Sequence, residues 1–272
     1  MPENGDTFSR EQMPFVAPCR TLAPFAAFGW LRRGADDWRR APWQSLAYGG
    51  VMTVIIALVT LLALTYGSVW LMLSVLGGFI FLAPLACVGL YAISAQLERN
   101  QPPQLAASLR TAFRRHLGNE LVFAIVLLVI FLVWARAGAI VSVFFPEAGH
   151  PGARELAGYL AIGSAVGALF AAVTFAASAF SLPMIMHRDV DTVTAVVTSV
   201  NAVLRNKLPL LIWMALVVAE LLIGMATAFV GLLVILPLIG YAAWHGYLET
   251  IDASAFPRHL EGITAVPRCR DD

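Results

Sequence analysis

Long runs of apolar residues constrain the fold of this chain more than any other feature. Six segments are long and apolar enough to cross a hydrocarbon layer of about 30 Å at a helical rise of about 1.5 Å per residue. We place these predicted spans at about 44–66, 69–95, 119–143, 156–184, 208–229 and 231–250. Only a few residues, near Gly67 and Gly231, separate the first two and the last two spans. The sequence therefore predicts an all-α membrane protein that contains helical hairpins.

Composition agrees with this fold class and narrows the functions. The chain is 59% hydrophobic and 13% charged, whereas a soluble domain carries about 25% charged residues. A net charge of +1 leaves no dense basic surface, so we expect no nucleic-acid partner. The three cysteines lie far apart without a C-x-x-C spacing, which predicts neither a disulfide framework nor a thiolate metal site.

The ends of the chain differ from its middle. Residues 1–22 and 256–272 are rich in proline, glycine and charge, and we interpret them as flexible tails around a transmembrane domain at 23–255. The N-terminal stretch lacks a basic region leading into an apolar core, so no signal peptide is predicted.

Basic residues predict the orientation of the spans. Of the 18 lysines and arginines, all but Arg136 and Arg154 fall on the side that holds both termini. Loops rich in lysine and arginine stay on the cytoplasmic side of a membrane. Both termini are therefore predicted to be cytoplasmic.

Three amphipathic segments each precede a predicted hairpin: FGWLRRGADDWRRAP, PQLAASLRTAFRRHL and DTVTAVVTSVNAVLRNKLP. Helical spacing puts Leu31, Ala35 and Trp38 on one face of the first, with Arg33, Asp36, Asp37 and Arg40 opposite, and puts Val193, Val196, Val197, Val200, Val203 and Leu204 on one face of the third. We interpret the chain as three pseudo-repeats, each an interfacial amphipathic helix followed by two spans. The alternative is that these segments are amphipathic connectors without a role in lipid binding.

Three stretches of the chain resemble a known bacterial family. They are SLPMIMHRDVDTVTAVVTSVNAVLRNKLPLLIW, FGWLRRGADDWRRAPWQSLAYG and LPLIGYAAWHGYLETI, and the resemblance extends over about residues 25–255. The family consists of predicted integral membrane proteins and is catalogued as a domain of unknown function. The resemblance implies a six-span protein of the bacterial inner membrane and implies no activity. Where the family pattern would have an arginine after the WHxY-like element, this chain has Leu248 and Glu249.

Glu220 is the most distinctive candidate for a functional residue. It lies about 12 residues into the fifth predicted span, where an ionised carboxylate is costly unless it is protonated or paired. Thr174 and Ser178 lie at matching depth in the fourth span. The group is either a site that handles protons or cations, or a protonated carboxyl that serves only packing.

A second candidate group lies near the cytoplasmic ends of the fourth and sixth spans. Tyr241, His245 and Glu249 follow an i, i+4, i+8 spacing on one helix face, and His187 ends the fourth span at a comparable height. We interpret them as a polar cluster that anchors helix ends at the membrane interface. Two histidines and a carboxylate could also hold a metal, and two histidines a haem, but no close H-x-x-x-H or E-x-x-H spacing favours this alternative. No metal, cofactor or catalytic residue is therefore predicted.

The remaining motifs concern packing and the class of function. The GxxxG of Gly163 and Gly167 predicts a central position for the fourth span, because small residues allow close helix approach. The chain has no G-x-S-x-G, H-E-x-x-H or P-loop, so we expect it not to be an enzyme. Two hypotheses follow: a scaffold or accessory subunit of a membrane assembly, respiratory or envelope, and a small transporter or channel that uses Glu220.

Overall fold

The computed structural model describes residues 14–66, 84–105, 117–143 and 152–257, and these residues form helices joined by short connections. In chain order the helices are α1 (Ala26–Arg40), α2 (Pro42–Tyr66), α3 (Val88–Glu98), α4 (Leu117–Val143), α5 (Ala153–Ser178), α6 (Ser181–His187), α7 (Thr192–Arg205), α8 (Lys207–Ala226) and α9 (Leu232–Thr250). The described residues contain no strand, apart from a single bridge between Cys19 and Ile251. The all-α prediction is confirmed for this part of the chain.

Five helical segments of the described chain are long and apolar enough to cross a membrane: Pro42–Tyr66, Glu120–Val141, Leu156–His187, Lys207–Ala226 and Leu232–Thr250. They coincide with five of the six predicted spans. Most of the remaining one, predicted at about 69–95, falls at 67–83, outside the described residues, and α3 forms its end. The second predicted amphipathic segment also lies mostly outside the described residues, at 106–116.

Helix α9 is the element around which the described core is built. Helices α1 and α2 pack one after the other against α9 and run antiparallel to it. Gly34 of α1 contacts Leu238 and Ala242, and Gly49 of α2 contacts Leu233, which lies earlier in α9. A Cβ on Gly34 would lie 2.9 Å from the Ala242 backbone nitrogen, so only glycine allows this approach. Helix α1 is therefore packed on the bundle. Its position at the membrane interface stays a prediction.

The side chain of Trp30 on α1 fills the centre of this core. It is fully buried and packs edge-on against Trp213 of α8, with ring centroids 5.7 Å apart, and against Phe180 at 6.4 Å. The buried face of α1 consists of Ala27, Trp30, Gly34 and Asp37. The predicted apolar face of Leu31, Ala35 and Trp38 is only partly buried. The face of α1 that is buried is therefore set more by close helix approach, which favours small residues, than by the hydrophobicity of the face.

Helix α7 also turns its less apolar face inwards. Its buried residues are Thr192, Thr194, Ala195, Thr198, Ser199 and Ala202, whereas Val193 and Leu204 of the predicted apolar face are exposed. The hydroxyls on the buried face make specific bonds: Ser199 accepts from the Phe180 backbone N–H at 3.1 Å and donates to the Ala176 carbonyl at 2.8 Å. These bonds satisfy backbone groups where the fourth span breaks between α5 and α6, as buried polar groups require.

The fourth span is not central over most of its length. Only 11% of the most apolar stretch of Leu156–His187 is buried in the protein, and the same holds for α4, against 44% for α9. A Cβ on Gly163 or Gly167 would meet open space. The prediction that the GxxxG makes this span central is therefore wrong. We refer to α4 and α5 together as the outer hairpin.

The segment before α1 is bonded to the bundle. The Arg20 N–H donates to the Thr250 carbonyl at 2.8 Å, and the Leu22 N–H donates to the Asn206 side chain at 2.8 Å. At the other end, the Asp189 N–H donates to the Pro257 carbonyl at 3.0 Å. The parts of the predicted flexible tails that are described, residues 14–22 and 256–257, are thus attached to the helices. Residues 1–13 and 258–272 lie outside the described part.

Candidate functional site

A row of polar side chains joins α1 and α2 to α9. Tyr241, His245 and Glu249 project from one face of α9 at a spacing of four residues. Each has a partner on the antiparallel helices, in the reverse order: Ser45, Asp37 and Arg33. These partners also follow a four-residue spacing, interrupted once at position 41, so two helical stripes meet. We call these three pairs the polar seam.

Asp37 is the centre of the polar seam. Its residue is only 4% exposed, and its Oδ2 lies 2.8 Å from His245 Nε2 and also accepts a hydrogen bond from the Ser94 hydroxyl of α3. The Arg40 guanidinium approaches the other carboxylate oxygen at 4.0 Å. A buried carboxylate is tolerated when donors surround it in this way. Asp37 therefore fastens three helices at one point.

The two outer pairs of the polar seam differ in their exposure. The Tyr241 and Ser45 hydroxyls are buried and lie 2.8 Å apart, and Ser45 also donates to the Ala41 carbonyl at 2.7 Å. Arg33 and Glu249 form an ion pair that is partly open to solvent. Glu249 thus has a charge partner, although the chain lacks the arginine that the family pattern would place beside it. An exposed pair of this kind contributes about 0–1 kcal/mol.

His187 belongs to another group of side chains. Its Nδ1 lies 3.0 Å from the Tyr247 hydroxyl, and its ring contacts Trp244 edge-on at a centroid distance of 5.3 Å. Tyr247 and His245 are two residues apart on α9 and face different sides of the helix. Of the predicted cluster, the structure brings Tyr241, His245 and Glu249 together along the polar seam and places His187 in a separate group.

His187 and His245, the two histidines considered for a metal or a haem, have different partners. His187 bonds to Tyr247, and His245 bonds to Asp37. Within the described ranges, no three histidine, cysteine or acidic side chains come close enough to hold a metal ion. Each histidine is hydrogen-bonded to a side chain of another helix.

A polar cavity of about 290 Å³ lies beside His187, at the end of the bundle where α6 and α9 finish. Its walls come from four separate parts of the chain, and they include Arg20, Glu98, Arg99, His187, Arg188, Tyr247, Asp252 and Ser254. The Arg188 guanidinium is held by the Phe256 carbonyl at 2.7 Å. Two hydrogen bonds from Ser254 to the Asp252 carboxylate lower the pKa of Asp252, which is therefore a carboxylate at neutral pH.

The Glu220 group is not assembled as the sequence suggested. Glu220 is partly buried in α8, and its Oε2 has no hydrogen-bond partner among the described residues. The Thr174 hydroxyl is buried and likewise has no partner in that part of the chain, so it does not bond to Glu220. Ser178 is buried near the break between α5 and α6. The three residues remain separate candidates.

Several polar residues that the fold brings inside are not predicted as site residues by the sequence pattern. Asp37 was assigned to the polar face of an amphipathic helix, and Ser94 and Arg188 were not predicted to belong to a site. The four-residue spacing of Arg33, Asp37 and Ser45, matched to that of the α9 residues, is the signal that could have identified the polar seam. Glu120 is a further case, since it is 9% exposed and its Oε1 has no hydrogen-bond partner among the described residues.

The family comparison agrees with the membrane architecture. Residues 71–187 match the model of a family described as a predicted integral membrane protein (DUF2189). This match confirms the resemblance to a membrane-protein family of unknown function. The match includes Ser181–His187 from the first quoted stretch, while the stretches around α1 and at the end of α9 lie outside it. No curated protein and no solved structure matches the chain.

Proposed function

We propose that this integral membrane protein is a non-enzymatic scaffold or accessory subunit of a larger membrane assembly, respiratory or envelope. It has six spans in the bacterial inner membrane, with both termini in the cytoplasm. Five described spans and the apolar run at about 69–95 support the number of crossings. The concentration of arginine on the side of the termini supports the orientation. Its partners are the lipid bilayer and helices of other membrane proteins.

The outer hairpin is the observation that carries the scaffold proposal. Most side chains of α4 and α5 beyond Phe123 and Leu127 are exposed or only partly buried, and they are apolar. In the membrane this surface faces lipid or another protein's helices. Gly163 and Gly167 lie on it one turn apart, and neither contacts another helix of the described chain. Small residues at this spacing allow a partner helix to approach closely, which lipid binding alone does not require.

Leucine substitutions on the two glycines test the scaffold proposal. The double variant Gly163→Leu, Gly167→Leu fills a surface that the chain's own helices leave open, so its unfolding midpoint in mild detergent should match that of the wild-type protein. Association with a partner should fall at least tenfold, because the leucines block close helix contact. The measurement is co-purification of the tagged full chain from membranes of its host, with the captured proteins identified by mass spectrometry.

Gly158→Leu is the matched control for this experiment. Gly158 is on the same helix and also meets open space, but it points roughly 140–180° away from the two glycines at about 100° per residue. Co-purification should persist in this variant. A wild-type chain that migrates alone and captures no complex, or a double variant that captures the wild-type set, would contradict the proposal.

A transporter or channel is the second candidate, and Glu220 supports it. An intramembrane carboxyl is a functional hypothesis by default, and the Oε2 of this one has no partner among the described residues. Glu220→Gln keeps the shape and removes the titrating proton. Loss of solute uptake or of proton coupling in vesicles that contain this variant, at unchanged abundance, would favour the transporter and refute a purely scaffolding role. Equal solute and proton flux in vesicles with the wild-type protein and with Glu220→Gln would exclude a role of Glu220 in transport.

A further inference from the structure

The polar cavity at the ends of α6 and α9 is a built feature of the fold. Its volume of about 290 Å³ is at the small end of the range for ligand sites. Two of its walls are firmly placed: His187 and Arg188 are each 9% exposed, and Tyr247 is 1% exposed. The opposite wall, Ile251–Ser254, is joined to the N-terminal segment by the bond from the Asp252 N–H to the Pro18 carbonyl at 2.9 Å.

Three arginines from distant parts of the sequence line this cavity. Arg20 comes from the segment before α1, Arg99 follows α3, and Arg188 follows α6. The backbone of Arg20 is fixed by its bond to Thr250, and the side chain of Arg188 by its bond to Phe256. The planar fork of arginine matches the oxygen pairs of phosphate groups. A lining that contains three arginines is therefore suited to an anion.

The two carboxylates in the lining, Glu98 and Asp252, neutralise only part of this charge. Glu98 accepts a hydrogen bond from the Trp244 indole at 3.4 Å, and Asp252 accepts one from the Ser254 N–H at 3.1 Å. Asp252 also interacts electrostatically with Arg20 and Arg188. Guanidinium groups also outnumber carboxylates three to two in the lining.

The cavity lies at the end of the candidate span α9. The candidate span α9 ends at Thr250, and the lining continues directly with Ile251–Ser254. Exposed aromatic rings lie at the same end of the bundle: Phe25 and Phe28 at the start of α1 are 70% and 51% exposed, with ring centroids 6.2 Å apart. Exposed aromatic side chains are common where a protein crosses from lipid to water.

We infer that this cavity binds a phosphate group, presented by the headgroup of a phospholipid in the adjacent leaflet. Arg20 and Arg99 bind the phosphate oxygens, and Arg188 with His187 forms the buried floor. Basic pockets at the ends of transmembrane helices are suited to this recognition because phosphate oxygens replace water around the guanidinium groups. A free phosphate ion has the same chemistry, and the experiment separates the two sources.

Calorimetric titration of the purified full chain in an uncharged detergent tests this inference. The probes are dihexanoyl phosphatidylglycerol, inorganic phosphate, and dihexanoylglycerol as the phosphate-free control. We expect saturable binding of the short-chain phospholipid and none of dihexanoylglycerol. The double variant Arg20→Gln, Arg99→Gln should raise the Kd at least tenfold, whereas Arg205→Gln should change it less than twofold. Arg205 is the matched control because it is an exposed arginine of α7 outside the cavity.

Each outcome has a defined meaning. If the phospholipid binds and inorganic phosphate does not compete with it, the site recognises the lipid headgroup. If inorganic phosphate binds as tightly as the phospholipid and displaces it fully, the site binds a free phosphate ion. No saturable binding of either probe, an unchanged Kd in the double variant, or an equal loss in Arg205→Gln would overturn the inference. If the double variant has a lowered unfolding midpoint, the single variant Arg20→Gln is tested in its place. Its Kd for the phospholipid should rise at least threefold, and an unchanged Kd would again contradict the site.

Discussion

The polar seam and the outer hairpin show two ways in which helices of one membrane protein are packed. Along the polar seam, glycines bring α1 and α2 against the backbone of α9, and paired polar side chains lie between the helices. Along the outer hairpin, glycines of α4 and α5 meet open space and most of the exposed side chains are apolar. Similar residues thus have opposite roles in the two regions. Small residues at helical spacing therefore indicate close helix packing, but they do not determine whether the partner helix belongs to the same chain.

The largest expected effect that tests this contrast is at Asp37. Asp37→Ala removes the carboxylate and leaves the His245 imidazole and the Ser94 hydroxyl without their acceptor. Breaking a buried pair in this way costs about 3–5 kcal/mol. The unfolding midpoint in mild detergent measures the loss. In the double variant Asp37→Ala, His245→Ala the losses should be less than additive, because the two residues share one interaction.

The adjacent residue supplies the control for Asp37. Asp36 pairs with Arg39 at 2.9 Å, but both side chains are more than half exposed. Asp36→Ala should therefore cost about 0–1 kcal/mol. Equal losses for the two variants would mean that burial of Asp37 does not stabilise the seam, and the comparison with the outer hairpin would lose its main support.

An intermediate effect is expected at Gly34. Gly34→Ala places a methyl group against the α9 backbone, 2.9 Å from the Ala242 nitrogen, and overpacking of this kind costs about 1–3 kcal/mol. Gly29→Ala on the same helix meets nothing within 4 Å and should be neutral or slightly stabilising. Unfolding curves of the two variants in the same detergent provide the measurement. A Gly34→Ala protein as stable as the Gly29→Ala protein would show that α1 does not approach α9 this closely.

The smallest effect has the opposite sign and concerns the outer hairpin. Gly138 lies within α4 and a Cβ there meets open space. Gly138→Ala should raise the free energy of unfolding by about 0.5–1 kcal/mol, because alanine loses less backbone freedom in a helix than glycine does. The same unfolding assay, run on the isolated full chain, measures the gain. A clear destabilisation would reveal a helix packed against α4 and would remove the distinction between the two regions.

The sequence by itself determined the class of the protein and the places of its spans. Apolar runs of membrane length have one physical outcome, since a backbone in lipid must satisfy its own hydrogen bonds and does so as a helix. For this reason five apolar runs of the described chain form helices long enough to cross a membrane. The resemblance to a membrane-protein family of unknown function was also readable from the chain and is confirmed by the match at 71–187.

Only the tertiary structure decided which helix faces meet. The hydrophobic pattern assigned Asp37 to the polar face of α1, and the fold buries it. The pattern also grouped Val193 and Leu204 on one apolar face of α7 without deciding whether that face meets lipid or the bundle, and the fold leaves both residues exposed. In water an apolar face is driven inwards, but lipid is as apolar as leucine and removes that preference. Close approach and hydrogen bonding then select the small and polar faces for the interior. The partners of Asp37, Tyr241 and His187 depend on that selection, so no local pattern along the chain determines them.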